Sequence, residues 1–114
     1  MIRFLFFLIL SYSYQVKADK NYYLYVAAES DDVVSLLKFN GETIEELERI
    51  EVGIMPTEIE GPHGITVDPS GDYWYLTLAH GSPFGSLVKY STENNIALSK
   101  TNLGLFPATM QVSP

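Results

Sequence analysis

The sequence predicts an all-β chain built from four-stranded antiparallel meanders of the kind that form the blades of a β-propeller, and three observations predict it. After the first eighteen residues the chain repeats itself at intervals of 45 to 51 residues, within the range of blade repeats. Within each unit, apolar residues alternate or fall in short aromatic and β-branched runs bounded by Gly, Pro, Asn and Asp, which is strand and turn chemistry. The 114 residues are 46% hydrophobic and 13% aromatic with no cysteine, a globular composition that excludes a disulfide framework, Cys-ligated zinc and an iron–sulfur cluster.

The start of the chain reads as an address. Arg3 precedes the apolar run Phe4-Leu5-Phe6-Phe7-Leu8-Ile9-Leu10, and a more polar stretch ends in Val16-Lys17-Ala18. This is the layout of a secretory signal peptide over residues 1–18, cleaved after Ala18. The apolar run is too short for a permanent span, which needs roughly 20 residues; an uncleaved N-terminal anchor is the alternative. The expected location is secreted or periplasmic, and the absence of cysteine excludes a lipoprotein anchor. Cleavage removes Arg3 and Lys17 and no acid, so 14 acidic residues then stand against 5 basic ones, a charge of −9 instead of −7. Seven Lys and Arg in the whole chain are too few for a nucleic-acid surface, which needs clustered cations to neutralise phosphates.

The repeat sets the rest. Pro62-His63-Gly64-Ile65-Thr66-Val67-Asp68-Pro69 matches Pro107-Ala108-Thr109-Met110-Gln111-Val112-Ser113-Pro114 at an offset of 45. Tyr23-Leu24-Tyr25-Val26-Ala27 matches Tyr73-Trp74-Tyr75-Leu76-Thr77 at 50. Leu37-Lys38-Phe39 matches Val88-Lys89-Tyr90 at 51, as does Val52-Gly53-x-x-Pro56 with Leu103-Gly104-x-x-Pro107. Strands are expected at Tyr22–Ala27, Val33–Phe39, Glu46–Val52, Gly64–Val67, Tyr73–Leu78, Ser86–Tyr90 and Leu98–Leu103. Asp68-Pro69-Ser70-Gly71 is a turn, Pro fixing φ and Gly supplying a positive one. Thr43-Ile44-Glu45-Glu46 could instead open a helix as a capping box, although the aligned stretch from Ile96 to Leu103 has no helical period. The acids from Glu42 to Glu60 read as a solvated strand face and loop; they lack the close alternating Asp and Asn ligands of a calcium site.

The run from Pro62 to Leu76, Pro-His-Gly-Ile-Thr-Val-Asp-Pro-Ser-Gly-Asp-Tyr-Trp-Tyr-Leu, resembles the Tyr-Val-Thr-Asn (YVTN) family of bacterial extracytoplasmic propellers, in which P-x-G-I-A-V-x-P-D-G-K-x-(V/L)-Y-V recurs. Leu24-Tyr25-Val26-Ala27 and Val52-Gly53 are similar to that family's second and fourth strands. Asp72-Tyr73-Trp74 is bulkier than the family pattern, and the loop from Ala79 to Gly85 is longer. The resemblance implies a blade and no particular activity. Residues 19–60 are then one blade, 61–106 a second and 107–114 the first strand of a third. A closed propeller holds about four to eight blades, so this one is incomplete: either the chain is a piece of a longer propeller, or several short chains assemble. Alone, it should expose open edges and an apolar inner face and dissolve poorly.

Blade topology puts the only two histidines on one face. His63 precedes the innermost strand and His80 lies in the loop joining the second and third, so both belong at the channel mouth. Their repeat equivalents are Ala108 and Ser30, so the blade itself does not demand histidine. Structural hydrogen bonding to neighbouring loops is one reading of the pair; a ligand, metal or haem site is the other. A metal needs three or four ligands, so other blades would complete it. The resemblance extends to the haem-binding propeller of nitrite reductase, which adds a haem option, and no Cys-x-x-Cys-His motif provides covalent attachment. Gly61-Pro62-His63-Gly64-Ile65 followed by Gly71-x-x-Trp74 is similar to elements of virginiamycin B lyase, a metal-assisted propeller enzyme. The loop His80-Gly81-Ser82-Pro83-Phe84-Gly85 has no Gly-x-Ser-x-Gly elbow, so serine-hydrolase chemistry has no support. The aromatic residues read mostly as packing between blades, with Trp74 and Phe84 as candidate ligand contacts.

Two functions follow. One is an exported scaffold that binds a protein or small-molecule ligand at the channel face through His63, His80, Trp74 and Phe84, with no cofactor required. The other is a metal- or haem-dependent lyase or oxidoreductase with His63 and His80 in its site.

Overall fold

Seven strands, joined by turns whose chemistry is written in the sequence, make two antiparallel sheets. The computed structural model of the chain describes residues 20–55, 57–81 and 83–114; the signal peptide expected over 1–18 and its cleavage after Ala18 lie outside them. The first sheet contains β1 (Tyr22–Ala28), β2 (Val33–Phe39) and β3 (Ile44–Glu51) in that order. The second contains β4 (Pro62–Val67), β5 (Tyr73–Leu78), β6 (Ser86–Ser91) and β7 (Ala97–Asn102), again in chain order. The described residues hold no helix, and none of their segments is a helix long and apolar enough to cross a membrane.

The helix alternative at Thr43 gives way to a hairpin because Asn40-Gly41 precedes it. The Asn40 side-chain oxygen accepts from the N–H groups of Glu42 (2.9 Å) and Thr43 (2.8 Å), and Asn40 N–H donates to the Thr43 carbonyl. That Asx turn reverses the chain and delivers Ile44 into β3. The Asp68–Gly71 turn forms as expected, with Gly71 at φ 79° and its N–H donating to Asp68 O at 3.0 Å. Both outermost strands carry a bulge, at Leu47 in β3 and Leu98 in β7, 51 residues apart. Each is skipped in the ladder and stays about half-exposed.

The sheets pack face to face. From the first come Tyr25, Ala27, Val34, Leu36 and Ile50; from the second, Trp74, Leu76 and Leu78 of β5 with Val88 and Tyr90 of β6. Period-two alternation puts the β5 and β6 residues on one face. Trp74 is the keystone of this core. Its ring stacks on Tyr25 at 4.8 Å and on Tyr90 at 3.9 Å, and its Nε1–H donates to Asn95 Oδ1 at 3.1 Å. The same oxygen accepts the Tyr25 hydroxyl at 2.8 Å, while the Asn95 amide donates to Glu48 at 2.6 Å. One asparagine, at φ 56°, therefore ties both sheets together.

Two expectations change. Residues 107–114 are no strand; Ala108 O and Thr109 Cα lie against Gly64 of β4. Glu60, read as part of a solvated acidic run, is only 5% exposed. Its carboxylate accepts the N–H groups of Ile54 and of Met55 (3.2 Å), holding the linker between the sheets, a role that counting acids does not reveal.

Candidate functional site

His63 stands exposed on β4, and His80 immediately follows Ala79 at the end of β5. Two features hold the His80 end. Asp32, at φ 51° in the β1–β2 turn, accepts with its carboxylate from the N–H groups of Glu60 (2.9 Å) and Gly61 (2.8 Å). The carbonyls of Glu60 and Gly61 then accept from His80 N–H (2.7 Å) and Ala79 N–H (2.9 Å). Gly61 is required here twice over. Its φ is 64°, and a Cβ would lie 2.2 Å from His80 Cδ2, so the imidazole rests on the bare backbone of the linker.

Between the histidines stands Phe106. Its ring meets both imidazoles edge-on, with centroids 5.6 Å from His63 and 4.9 Å from His80. The outer nitrogen of His80, Nε2, lies 3.0 Å from the Glu29 carboxylate, an ion pair when the ring is protonated. His63 Nδ1 lies 3.1 Å from Ala108 O, across the 45-residue repeat. Phe106 is half-exposed and has φ 47°, a left-handed conformation that costs a bulky residue roughly 1–3 kcal/mol and is found preferentially at functional positions. Phe84 is exposed on the loop entering β6. Its neighbour Gly85 exchanges backbone hydrogen bonds with Leu103 and Gly104, which lead into Phe106.

Trp74 departs from the sequence reading. It is fully buried between the sheets and offers no surface to a ligand; alternation along β5 sends it to the packed face. Phe106, Glu29 and Asp32 were missed. Phe106 carries one legible signal: its equivalent at the 51-residue offset is Met55, so the repeat does not demand an aromatic there. Glu29 and Asp32 become visible only when the first sheet is folded onto the second.

The cluster presents an aromatic edge, two imidazoles and a carboxylate to solvent, a set able to bind an apolar or aromatic group and fix its polar ends by hydrogen bonds. His80 Nε2 faces Glu29, and among the described residues no three His, Cys, Asp or Glu side chains gather where one ion could hold them. Comparison with protein-family models, curated proteins and solved structures returned no match to this chain.

Proposed function

We propose that this chain is an exported pair of propeller blades that works as a binding scaffold, taking a protein or small-molecule ligand at the surface formed by His63, Phe106 and His80. The observation that carries the binding surface is Phe106, half-exposed in a left-handed backbone and flanked by both histidines of the chain. The blade reading is supported by sheets that run in chain order and by a contact between repeat-equivalent positions, His63 with Ala108, 45 apart. Stacked repeats bring equivalent positions of neighbours together in this way. Export is supported by the layout of residues 1–18, and an extracytoplasmic ligand follows from it.

Saturation-transfer and chemical-shift NMR with a panel of aromatic fragments, such as indole, phenol and phenylalanine amide, tests the surface. The expected result is perturbation of the His63 and His80 imidazole resonances, lost in Phe106→Ala, and a saturation-transfer signal on the fragments that is weakened in both Phe106→Ala and the His63→Ala/His80→Ala pair. Fragments that perturb only resonances elsewhere, or bind Phe106→Ala equally well, would remove the assignment.

A further inference from the structure

We propose that a second copy of this chain docks head to tail on the first, its three-stranded sheet stacking on the outer face of the four-stranded sheet and accepting residues 107–114 of the first copy as a fourth strand. The proposal rests on the blade reading and goes beyond it, because it names what covers the two outer faces.

The internal interface shows which chemistry meets which. Toward the second sheet, β1 turns Tyr25 and Ala27; toward the first, β5 turns Trp74, Leu76 and Leu78. At the 50-residue offset Tyr25 and Ala27 are the equivalents of Tyr75 and Thr77, which sit on the opposite, outer face of β5. Conversely, Trp74 and Leu76 are the equivalents of Leu24 and Val26, on the outer face of β1, which are 42% and 45% exposed although their counterparts are fully buried. The outer face of β1 thus repeats the β5 half of the interface already formed inside the chain, and the outer face of β5 repeats the β1 half through Tyr75, with Thr77 already buried against Ala108. Such a contact is heterologous: it uses different patches on the two partners and propagates until a ring closes.

The strand inventory agrees. β5 is flanked by β4 and β6, whereas its equivalent β1 pairs with β2 and, among the described residues, has no strand on its other edge. Residues 107–114 repeat the β4 sequence at 45, carry no strand pairing, and lie on the outer side of β4 and β5 through Ala108 and Thr77. β4 likewise packs against β1. A copy stacked on that outer face would present its open β1 edge to this segment as β5 presents its edge to β4. Rings of two to four copies would then hold about four to eight sheets, the usual propeller range.

Cysteine-free chemistry makes the test clean. Ile65 lies opposite Leu76 in the β4–β5 ladder, and their repeat equivalents are Met110 and Val26. In the exported chain, residues 19–114, the Val26→Cys/Met110→Cys variant should form disulfides between copies under mild oxidation, and neither single variant should build the same ladder of cross-linked species. Sedimentation velocity should give the parent chain a discrete multiple of the monomer mass, reduced to monomer in Val26→Glu. NOEs between the Tyr25 and Trp74 rings report the stacking of the two sheets within one chain. If those NOEs are present while the parent chain stays monomeric and the double variant stays uncross-linked, the docking proposal falls and the blade reading stands. If the NOEs are absent, the blade reading falls and takes the proposal with it.

Discussion

Tyr90 carries its phenol into the space between the sheets, where burial and the nearby Glu60 carboxylate push its pKa up to about 12. The folded chain favours the neutral phenol. Its contribution to stability is therefore complete below the ordinary value of 10.0 and is lost as pH rises toward 12. Urea midpoints should fall by the equivalent of about 2–3 kcal/mol across that interval, and Tyr90→Phe should flatten the fall; an unchanged alkaline profile in that variant would assign the loss elsewhere. Tyr25 is shifted the same way, by burial and then by Glu48. Asp32 acts through its acceptors. Removing its carboxylate strands the N–H groups of two buried residues, Glu60 and Gly61. Asp32→Ala should therefore cost about 2–3 kcal/mol, with Asp32→Asn recovering much of it because one acceptor oxygen and tolerance of positive φ remain. Chemical denaturation of the two variants checks the order.

Turns and linkers decide where the strands begin. The linker from Val52 to Gly61 is held by Asp32 and Glu60, and its last residue forms the floor under His80. Gly61→Ala should displace the imidazole, break its edge contact with Phe106 and destabilise the chain by at least ~1 kcal/mol through the φ of 64° alone. Loss of the His80–Phe106 NOE with retained β-sheet circular dichroism is the expected signature. The Asp68–Gly71 turn gives an acid-side counterpart. Desolvation raises the Asp68 carboxyl, but the Ser70 hydroxyl and the N–H groups of Tyr73, Gly71 and Asp72 outweigh it and hold its pKa below the ordinary value. Its stabilising effect is present above the unfolded value and lost as pH falls through the folded one. Asp68→Asn should remove that acid-side slope in a pH titration of stability.

Across the whole molecule the apolar surface is unevenly distributed. Trp74, Leu76 and Leu78 disappear into the inter-sheet core, while Leu24 and Val26 stay half-exposed on the far face of the first sheet. Leu24→Lys and Val26→Lys should raise solubility and leave the unfolding free energy of the single chain little changed, whereas Trp74→Ala should cost it about 3–5 kcal/mol; turbidity and denaturation curves at low protein concentration separate the two. What made this asymmetry partly legible is the repeat itself. Tyr23-Leu24-Tyr25-Val26-Ala27 and its partner at Tyr73 announce strands through aromatic and β-branched alternation, so all seven strands begin within two residues of their expected places. β3 reaches back to Ile44 because the Asn40-Gly41 hairpin overrides a weak capping pattern at Thr43.

Periodicity, turn residues and the repeat are local properties of the chain, so the sequence alone determined the strands, their order within each sheet and the existence of two similar units. The face that each strand buries is a relation between units. Alternation cannot say whether Trp74 or Tyr75 points into the core, nor that Glu60 is buried, because both answers depend on which face the other sheet covers. The meeting of His63, His80 and Phe106 is likewise tertiary: the side chains come from a strand and two loops, and only the stacked sheets and the linker on Gly61 bring their rings within about 6 Å of one another.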